Sequence, residues 1–323
     1  MMYKEVFLMQ KNKLFIVIPC YNEEEVLQET TNRLRIKINQ MIKNNLISKD
    51  SKVMYVNDGS KDNTWEMIKS ISEKDNLFTG ISLSKNRGHQ NALVAGLLTS
   101  KKYADIVISM DADLQDDIDV MDKMIIKYNE GCQIVYGVRE ARKTDTFFKK
   151  NTAESFYKLM SRMGVDIVYN HADYRLVSKK VLNEFERYEE VNLFLRGIFP
   201  LIGFKSDIVY YNRSERFAGK SKYSLKKMIN FAWDGITSFS IKPISLILSF
   251  GALLTVFSFI SILFFLISNS ERNNVIMIVS IISLFSGINI LCIGIVGEYI
   301  GKIYFETKRR PRFIIEENLL KTK

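Results

Sequence analysis

The sequence has little cysteine and no recognisable cleaved targeting segment. Its three cysteines, Cys20, Cys132 and Cys292, lie far apart without the spacing of a metal site, so we expect free thiols in a reducing compartment. The apolar run 14–18 is too short for the core of a signal peptide, and Pro19 before Cys20 does not suit a cleavage site. Internal repeats and low-complexity segments are not evident. A disulfide-stapled domain and a repeat architecture are therefore disfavoured.

Charge is missing from two long segments near the C-terminal end. Residues 243–270 contain no charged side chain over 28 positions, and residues 273–297 contain none over 25. At about 1.5 Å rise per residue, a helix of either length can cross a hydrocarbon core of roughly 30 Å. Core helices of globular domains rarely run so long without a charge. The sequence therefore predicts two transmembrane helices, at about 243–268 and 274–297.

The positive charge of the chain is concentrated around these segments. Residues 200–323 contain 16 Lys and Arg against 8 Asp and Glu, whereas residues 1–199 contain 30 against 28. A nucleic-acid-binding protein would carry its basic surface on the folded domain, so we expect no nucleic-acid partner. The short connection 270–273 holds a single positive charge. By the positive-inside rule both termini are cytoplasmic, which predicts a multi-pass protein of the cytoplasmic membrane.

An amphipathic segment precedes the first predicted span. The charged residues Lys226, Lys227 and Asp234 lie off its apolar stripe. The apolar residues recur at intervals of three and four: Leu225, Met228, Ile229, Ala232, Trp233, Ile236 and Phe239. Such a helix can lie in the membrane interface with Trp233 near the headgroups. The alternative is an ordinary core helix of the preceding domain. Either arrangement would bring the basic segment 213–222 near the bilayer.

The N-terminal half alternates strand-like and helix-like segments. Apolar runs at 14–18, 53–56 and 106–110 each end in a polar turn that leads into a segment with helical spacing or further polar residues. Strands that alternate with helices predict a parallel sheet, whose ligands lie at the carboxyl ends of its strands. Asp58 and the pair Asp111 and Asp113 would then converge on one cleft. Carboxylates in such a pair suit Mg²⁺ or Mn²⁺.

Several motifs together resemble the family 2 glycosyltransferases with the GT-A fold. They are Pro19-Cys20-Tyr21-Asn22-Glu23-Glu24, Asn57-Asp58-Gly59-Ser60, Gly88-His89-Gln90 and Asp111-Ala112-Asp113-Leu114-Gln115. Later motifs resemble the polyprenyl-phosphate branch of that family, similar to bactoprenol glucosyltransferases and dolichyl-phosphate mannose synthases. These are Asp173-Tyr174-Arg175-Leu176, Phe194-Leu195-Arg196-Gly197, the segment 216–223, Gly297-Glu298-Tyr299-Ile300-Gly301 and Arg310-Pro311. The resemblance spans residues 12–315 and departs from the usual pattern only at Asn57 and Tyr174.

On the donor side, the resemblance implies a nucleotide sugar whose diphosphate is bound with Mg²⁺ or Mn²⁺. The metal would be held by Asp113 with Asp111 and Gln115, acting as Lewis acid and template. The base and ribose would be bound by Pro19, Tyr21, Glu23 and Asp58. The alternatives are turn packing for Tyr21 and a favourable charge at a helix N-terminus for Glu23. For His89 we expect a donor contact or packing near the cleft rather than metal ligation.

On the acceptor side, the resemblance implies a polyprenyl phosphate, an anion that needs orientation more than a strong base. Candidate cationic contacts are Arg139, Arg142, Arg175, Arg196, Arg213, Arg216 and Lys222, because arginine suits bidentate phosphate binding. Of these, Arg175, Arg196, Arg216 and Lys222 lie within the matching motifs. Asp173 could orient the acceptor or the sugar, or act as a weak base, and the sequence leaves these roles open.

The resulting prediction is a metal-dependent, inverting transferase. It would move a hexose, glucose from UDP-glucose as first choice, to undecaprenyl phosphate at the cytoplasmic membrane face; galactose, N-acetylglucosamine, mannose and a modified pentose stay open, as does a homo-oligomer. The predicted domains are a catalytic domain at 1–223, an interfacial helix at 224–241, the membrane segment at 242–300 and a basic tail at 301–323. A processive polysaccharide synthase is disfavoured because neither tryptophan is preceded by arginine, as a Gln-x-x-Arg-Trp motif requires. A non-catalytic lipid-binding scaffold is disfavoured because the paired aspartates are present.

Overall fold

The computed structural model describes residues 11–140, 171–191, 194–212 and 274–320, with isolated positions at 233, 243, 247 and 249. The chain divides into two compact units: one comprises residues 1–154, 167–224 and 311–323, and the other residues 155–166 and 225–310. The predicted interfacial helix and the first predicted span lie outside the described residues apart from those isolated positions. So does the basic segment 213–222.

The first unit is built on one sheet of eight strands. The strands are β1 (Leu14–Cys20), β2 (Lys52–Asn57), β3 (Phe78–Leu83), β4 (Ile106–Ser109), β5 (Ile134–Arg139), β6 (His171–Ser178), β7 (Ser206–Tyr211) and β8 (Ile315–Asn318). Their order across the sheet is β7-β5-β6-β4-β1-β2-β3-β8. Strands β4, β1, β2 and β3 are parallel, whereas β6 runs antiparallel to both of its neighbours and β8 antiparallel to β3. The predicted α/β class with a mostly parallel sheet is confirmed.

Helices connect the strands of this sheet. Those of the first unit are α1 (Glu24–Lys43), α2 (Thr64–Lys74), α3 (His89–Ser100), α4 (Val120–Asn129), α5 (Lys179–Phe185) and α6 (Leu195–Leu201). Every residue of β1 is buried, as expected for a central parallel strand covered on both faces. Helix α3 packs especially closely on the sheet. A Cβ atom on Gly96 would lie 2.3 Å from Cγ1 of Val17, so only glycine allows this approach.

The C-terminal residues return to the sheet as strand β8. Ile315 pairs with Leu83 and Asn318 with Ile81 along the edge of β3, and the amide of Ser84 donates a hydrogen bond of 3.0 Å to the carbonyl of Ile314. These residues were predicted only as part of a basic tail, and the strand was not predicted. A four-residue edge strand with the sequence Ile-Glu-Glu-Asn has too weak a pattern to be recognised by alternation alone.

The second unit contains the long helix α7 (Asn274–Thr307), which includes the second predicted span. In the described portion of the chain, no helix combines the length and the apolar character needed to cross a membrane. Both spans stay predictions, and the first of them lies outside the described residues apart from isolated positions.

Candidate active site

The turns after β1 and β2 are bound to each other at the carboxyl edge of the sheet. The amide of Asn22 donates to Oγ of Ser60 at 3.0 Å, and the amide of Lys61 donates to Oδ1 of Asn22 at 2.8 Å. The amide of Glu23 donates to Oγ1 of Thr64 at 2.9 Å. These bonds fix the backbone around Tyr21 and Glu23, which both remain partly accessible. Pro19, in contrast, is buried within β1.

The side chain of Asp58 is hydrogen-bonded to the loop that precedes α3. Its two carboxylate oxygens accept hydrogen bonds from the amides of Arg87 at 2.7 Å and Gly88 at 2.9 Å, and the residue is only 2% exposed. Burial raises the pKa of Asp58, although these two amide bonds act in the opposite direction. The adjacent Gly59 has φ of +64°, and a Cβ there would lie 2.6 Å from the amide nitrogen of Asn86. In this structure Asp58 shapes the loop 85–88, a role that the sequence analysis did not consider.

The segment after β4 carries the paired aspartates on a constrained turn. Leu114 has φ of +57°, a left-handed conformation that is unusual for a leucine. The amide of Gln115 donates to Oδ1 of Asp113 at 3.2 Å, and Oγ1 of Thr30 donates to the carbonyl of Ala112 at 2.8 Å. Asp111 and Asp113 remain partly accessible, whereas Gln115 is buried.

Asp116, which the sequence analysis did not single out, anchors the end of this turn. Its Oδ1 accepts hydrogen bonds from the hydroxyl of Tyr211 and from Nη2 of Arg139, the latter at 3.2 Å. Nε of Arg139 also donates to the hydroxyl of Tyr211 at 3.1 Å. Arg139 is thus engaged within the sheet rather than placed for an acceptor. The position of Asp116 directly after Gln115 was the one signal in the sequence that could have identified it.

His89, at the start of α3, lies between two carboxylates of the site. Its Nε2 is 3.7 Å from Oδ1 of Asp111 and 3.6 Å from Oδ2 of Asp173. Burial lowers the pKa of His89, but the two carboxylates raise it more strongly, to about 9. Asp173 reaches this position because β6 is antiparallel and therefore presents its first residues at the carboxyl edge of the sheet.

The carboxylates around His89 have unequal proton affinities. Burial and the nearby charges of Asp116, Asp173 and Asp113 raise the pKa of Asp111 to about 6, against the opposing effect of His89. Burial also acts to raise the pKa of Asp173, but Arg196, His89 and Arg175 together hold it well below its ordinary value. Asp111 is therefore the carboxylate whose negative charge is least compensated by the protein.

Two of the arginines that were predicted to contact the acceptor lie beside Asp173, and they differ in accessibility. Arg175 is completely buried: its guanidinium contacts Asp173, donates to the carbonyl of Leu195 at 3.2 Å and lies 4.8 Å from the ring centre of Phe199. Arg196 keeps 31% of its side chain exposed, with Nη2 3.4 Å from Oδ2 of Asp173. The predicted contact of Arg175 with the acceptor phosphate stays a prediction, and in this structure its side chain is enclosed by protein. Arg196 is the arginine that a ligand can reach.

Four of the predicted cationic contacts lie outside the described residues: Arg142, Arg213, Arg216 and Lys222. Within the described ranges, no group of three or more His, Cys, Asp or Glu side chains is arranged to hold a metal ion. The structure thus brings together Asp111, His89, Asp173 and Arg196 at one edge of the sheet, with Asp113 and Gln115 on the same turn as Asp111.

Comparison with known proteins identifies the family. The profile described as glycosyl transferase family 2 matches residues 15–185. The uncharacterized glycosyltransferase YkoT of Bacillus subtilis is 51% identical over 310 residues, which cover 95% of this chain and 92% of the relative. The bactoprenol glucosyl transferase of Shigella phage SfX is 37% identical over 310 residues, covering 94% of this chain and 99% of the relative. The chain belongs to glycosyl transferase family 2 and is a glycosyltransferase.

Proposed function

We propose that this enzyme transfers glucose from UDP-glucose to undecaprenyl phosphate at the cytoplasmic face of the membrane. The observation that carries the proposal is the position of His89. Its Nε2 lies 3.7 Å from Oδ1 of Asp111, on the predicted donor side, and 3.6 Å from Oδ2 of Asp173, which contacts Arg196 on the predicted acceptor side. The similarity to bactoprenol glucosyl transferases over almost the whole chain supports the lipid acceptor and the choice of glucose.

The donor diphosphate would bind together with Mg²⁺ or Mn²⁺ at Asp111 and Asp113. These residues fit such an ion because both are carboxylates on the same turn and both remain partly accessible. Two protein carboxylates are also a usual complement for Mg²⁺, which takes its other ligands from phosphates and water. When bound, the ion would neutralise charge on the leaving diphosphate. Asp58 and the loop 85–88 would shape the wall of the donor pocket, with Tyr21 and Glu23 beside the base and ribose.

The acceptor phosphate would bind at Arg196. A phosphate is anionic at neutral pH, so it can attack the anomeric carbon without a strong general base, and orientation becomes the main requirement. Asp173 would hold the guanidinium of Arg196 in place before the acceptor arrives. A single displacement by the phosphate oxygen inverts the anomeric centre, giving a β-linked glycosyl phosphate from an α-linked donor. Arg213, Arg216 and Lys222 would add positive charge around the same phosphate.

Membrane insertion is part of the proposal and is inferred mainly from the sequence. The segments at about 243–268 and 274–297 would span the bilayer with both termini in the cytoplasm. Support comes from the lack of charge in these segments and from exposed apolar side chains at described positions of α7: Ile278, Ile281, Ile282, Ile293 and Val296. The interfacial helix at 224–241 would hold the catalytic unit near the headgroups.

The test is a transfer assay with the purified full-length protein in detergent. Undecaprenyl phosphate would be incubated with a panel of labelled UDP and GDP sugars, and the lipid fraction analysed for a glycosyl phosphate. We expect UDP-glucose to give the fastest lipid labelling and the product to be β-linked. Labelling from another sugar would change the donor, and no labelling of the lipid from any donor would contradict the proposed acceptor.

A further inference from the structure

Both backbone groups of Leu195 are held by side chains from other motifs of the site. The Leu195 amide donates a hydrogen bond of 2.9 Å to Oε1 of Gln90, and its carbonyl accepts a bond of 3.2 Å from Nη1 of Arg175. Leu195 is the first residue of α6 and only 1% exposed, so water cannot easily replace either partner. The backbone from which the next side chain, Arg196, extends is therefore fixed from two sides.

Gln90 is the part of this arrangement that connects it to the donor side. It follows His89, whose ring faces Asp111, and it lies two residues after Gly88, whose amide binds Asp58. The first turn of α3 thus contacts Asp58, Asp111, Asp173 and the beginning of α6. No bond between Gln90 and Arg196 is needed for this connection, because Gln90 acts on the backbone one residue earlier.

We propose that Gln90 is a positioning residue for the acceptor phosphate: it fixes the start of α6 so that Arg196 is directed toward Asp173 and the site. This inference rests on the proposed function, in which Arg196 binds the acceptor. A phosphate contact of this kind depends on the placement of the guanidinium, since bidentate hydrogen bonds require a defined direction. Loss of the Gln90 contact leaves a buried amide without its partner and allows the first turn of α6 to shift.

The predicted effect is specific for the acceptor. Gln90→Leu keeps the approximate size of the side chain but removes the oxygen that accepts the hydrogen bond from the Leu195 amide. We expect kcat/KM for a short-chain polyprenyl phosphate to fall at least tenfold, with the KM for UDP-glucose changed less than twofold. The matched control is Gln28→Leu, which makes the same replacement at an exposed position of α1 and should leave both constants unchanged.

A double-mutant cycle separates positioning from a general structural defect. If Gln90 acts through Arg196, then Gln90→Leu adds no further loss of acceptor kcat/KM in an Arg196→Ala background. If the two substitutions instead reduce acceptor kcat/KM independently, so that the double variant shows the product of the two single losses, the proposal is overturned. An equal loss of donor and acceptor use in Gln90→Leu would overturn it as well, because that result indicates general damage to the site.

Hydrogen exchange provides a readout that does not depend on the acceptor. In Gln90→Leu, the amide of Leu195 should exchange at least tenfold faster than in the wild-type protein, while amides of β1 are unaffected. If wild-type protein transfers no sugar to any polyprenyl phosphate, the proposed function fails, and hydrogen exchange alone decides whether Gln90 fixes α6. Unchanged exchange at Leu195 would overturn the positioning role whatever the substrate.

Discussion

Trp65 and Glu317 are joined by a hydrogen bond of 2.9 Å from the indole Nε1 to Oε1, although 252 positions separate them in the chain. Trp65 belongs to α2 and is nearly buried, whereas Glu317 belongs to β8. The bond adds a side-chain contact to the backbone pairing of β8 with β3. The C-terminal residues are therefore part of the catalytic unit and are held there at two different elements.

Replacement of Glu317 should destabilise the catalytic unit. Glu317→Leu leaves the indole N–H of Trp65 without its charged acceptor, and we expect a loss of about 1 kcal/mol, which corresponds to a few degrees in Tm. Thermal unfolding followed by tryptophan fluorescence measures this change. Glu316→Leu is the matched control, because the neighbouring side chain points to the other face of the strand. Equal shifts in the two variants would show that the Trp65 bond contributes nothing specific.

Removal of a carboxylate from the Asp111 turn should abolish transfer without unfolding the protein. Asp113→Asn keeps the shape of the side chain and its bond to the amide of Gln115 but removes the charge that would face a divalent ion. We expect a loss of activity of about two to four orders of magnitude, as is usual when charge stabilisation is lost. EDTA should have a similar effect on the wild-type protein, reversed by added Mg²⁺ or Mn²⁺. Full turnover in EDTA would exclude the metal role.

Replacement of Arg175 and of Arg196 by methionine should have different effects on stability and on acceptor use. Arg175→Met removes a fully buried charge partner of Asp173 and the bond to Leu195, so we expect a loss of roughly 3 kcal/mol or more of stability together with activity. Arg196→Met alters a partly exposed residue and should cost at most about 1 kcal/mol while reducing acceptor use strongly. Thermal unfolding and acceptor kinetics of both variants distinguish these outcomes. A stable but inactive Arg175→Met protein would contradict the structural role assigned to Arg175.

Lys37 should make a pH-dependent contribution to stability at alkaline pH. This buried lysine of α1 lies 2.9 Å from both Asp119 and Asp122. Burial lowers the pKa of Lys37, but the two carboxylates raise it more, to a net value above its ordinary one. Because the native pKa is the higher one, the contribution is complete below the unfolded pKa of about 10.4 and is lost as pH rises through the native value. Lys37→Met should therefore be less stable than wild type at pH 8, with the difference narrowing toward pH 11 in thermal unfolding.

Gly96 should not tolerate alanine despite its position inside a helix. Glycine to alanine in a helix interior usually stabilises by up to about 1 kcal/mol. Here the new methyl group would meet Val17 and Val56 at 2.3 and 2.7 Å, so we expect a net destabilisation of about 1–3 kcal/mol. Gly301→Ala in α7 serves as a control, because no atom of the described residues lies within 4 Å of a Cβ there. A stabilised Gly96→Ala protein would show that α3 can move away from the sheet.

Local sequence rules predicted which residues lie at the carboxyl edge of the sheet but not the features that depend on tertiary contacts. Asp58 and Asp111 follow apolar strands, so the rule for parallel sheets placed them at one edge correctly. The enclosed state of Arg175 could not be deduced, because burial at 0% depends on Phe199 and Leu195, which come from a separate helix. The bond of Gln90 to Leu195 connects residues 105 positions apart and leaves no trace in either local pattern.

The reversed direction of β6 has a consequence for how the chain can vary. Asp173 is the third residue of β6, and its height at the edge of the sheet is set by pairing of Arg175 with Ser109 on β4 and with Tyr136 on β5. The position of this carboxylate is thus determined by hydrogen-bond register and not by the number of residues between β5 and β6. Related chains could therefore lengthen or shorten that connection while Asp173 stays beside His89 and Arg196.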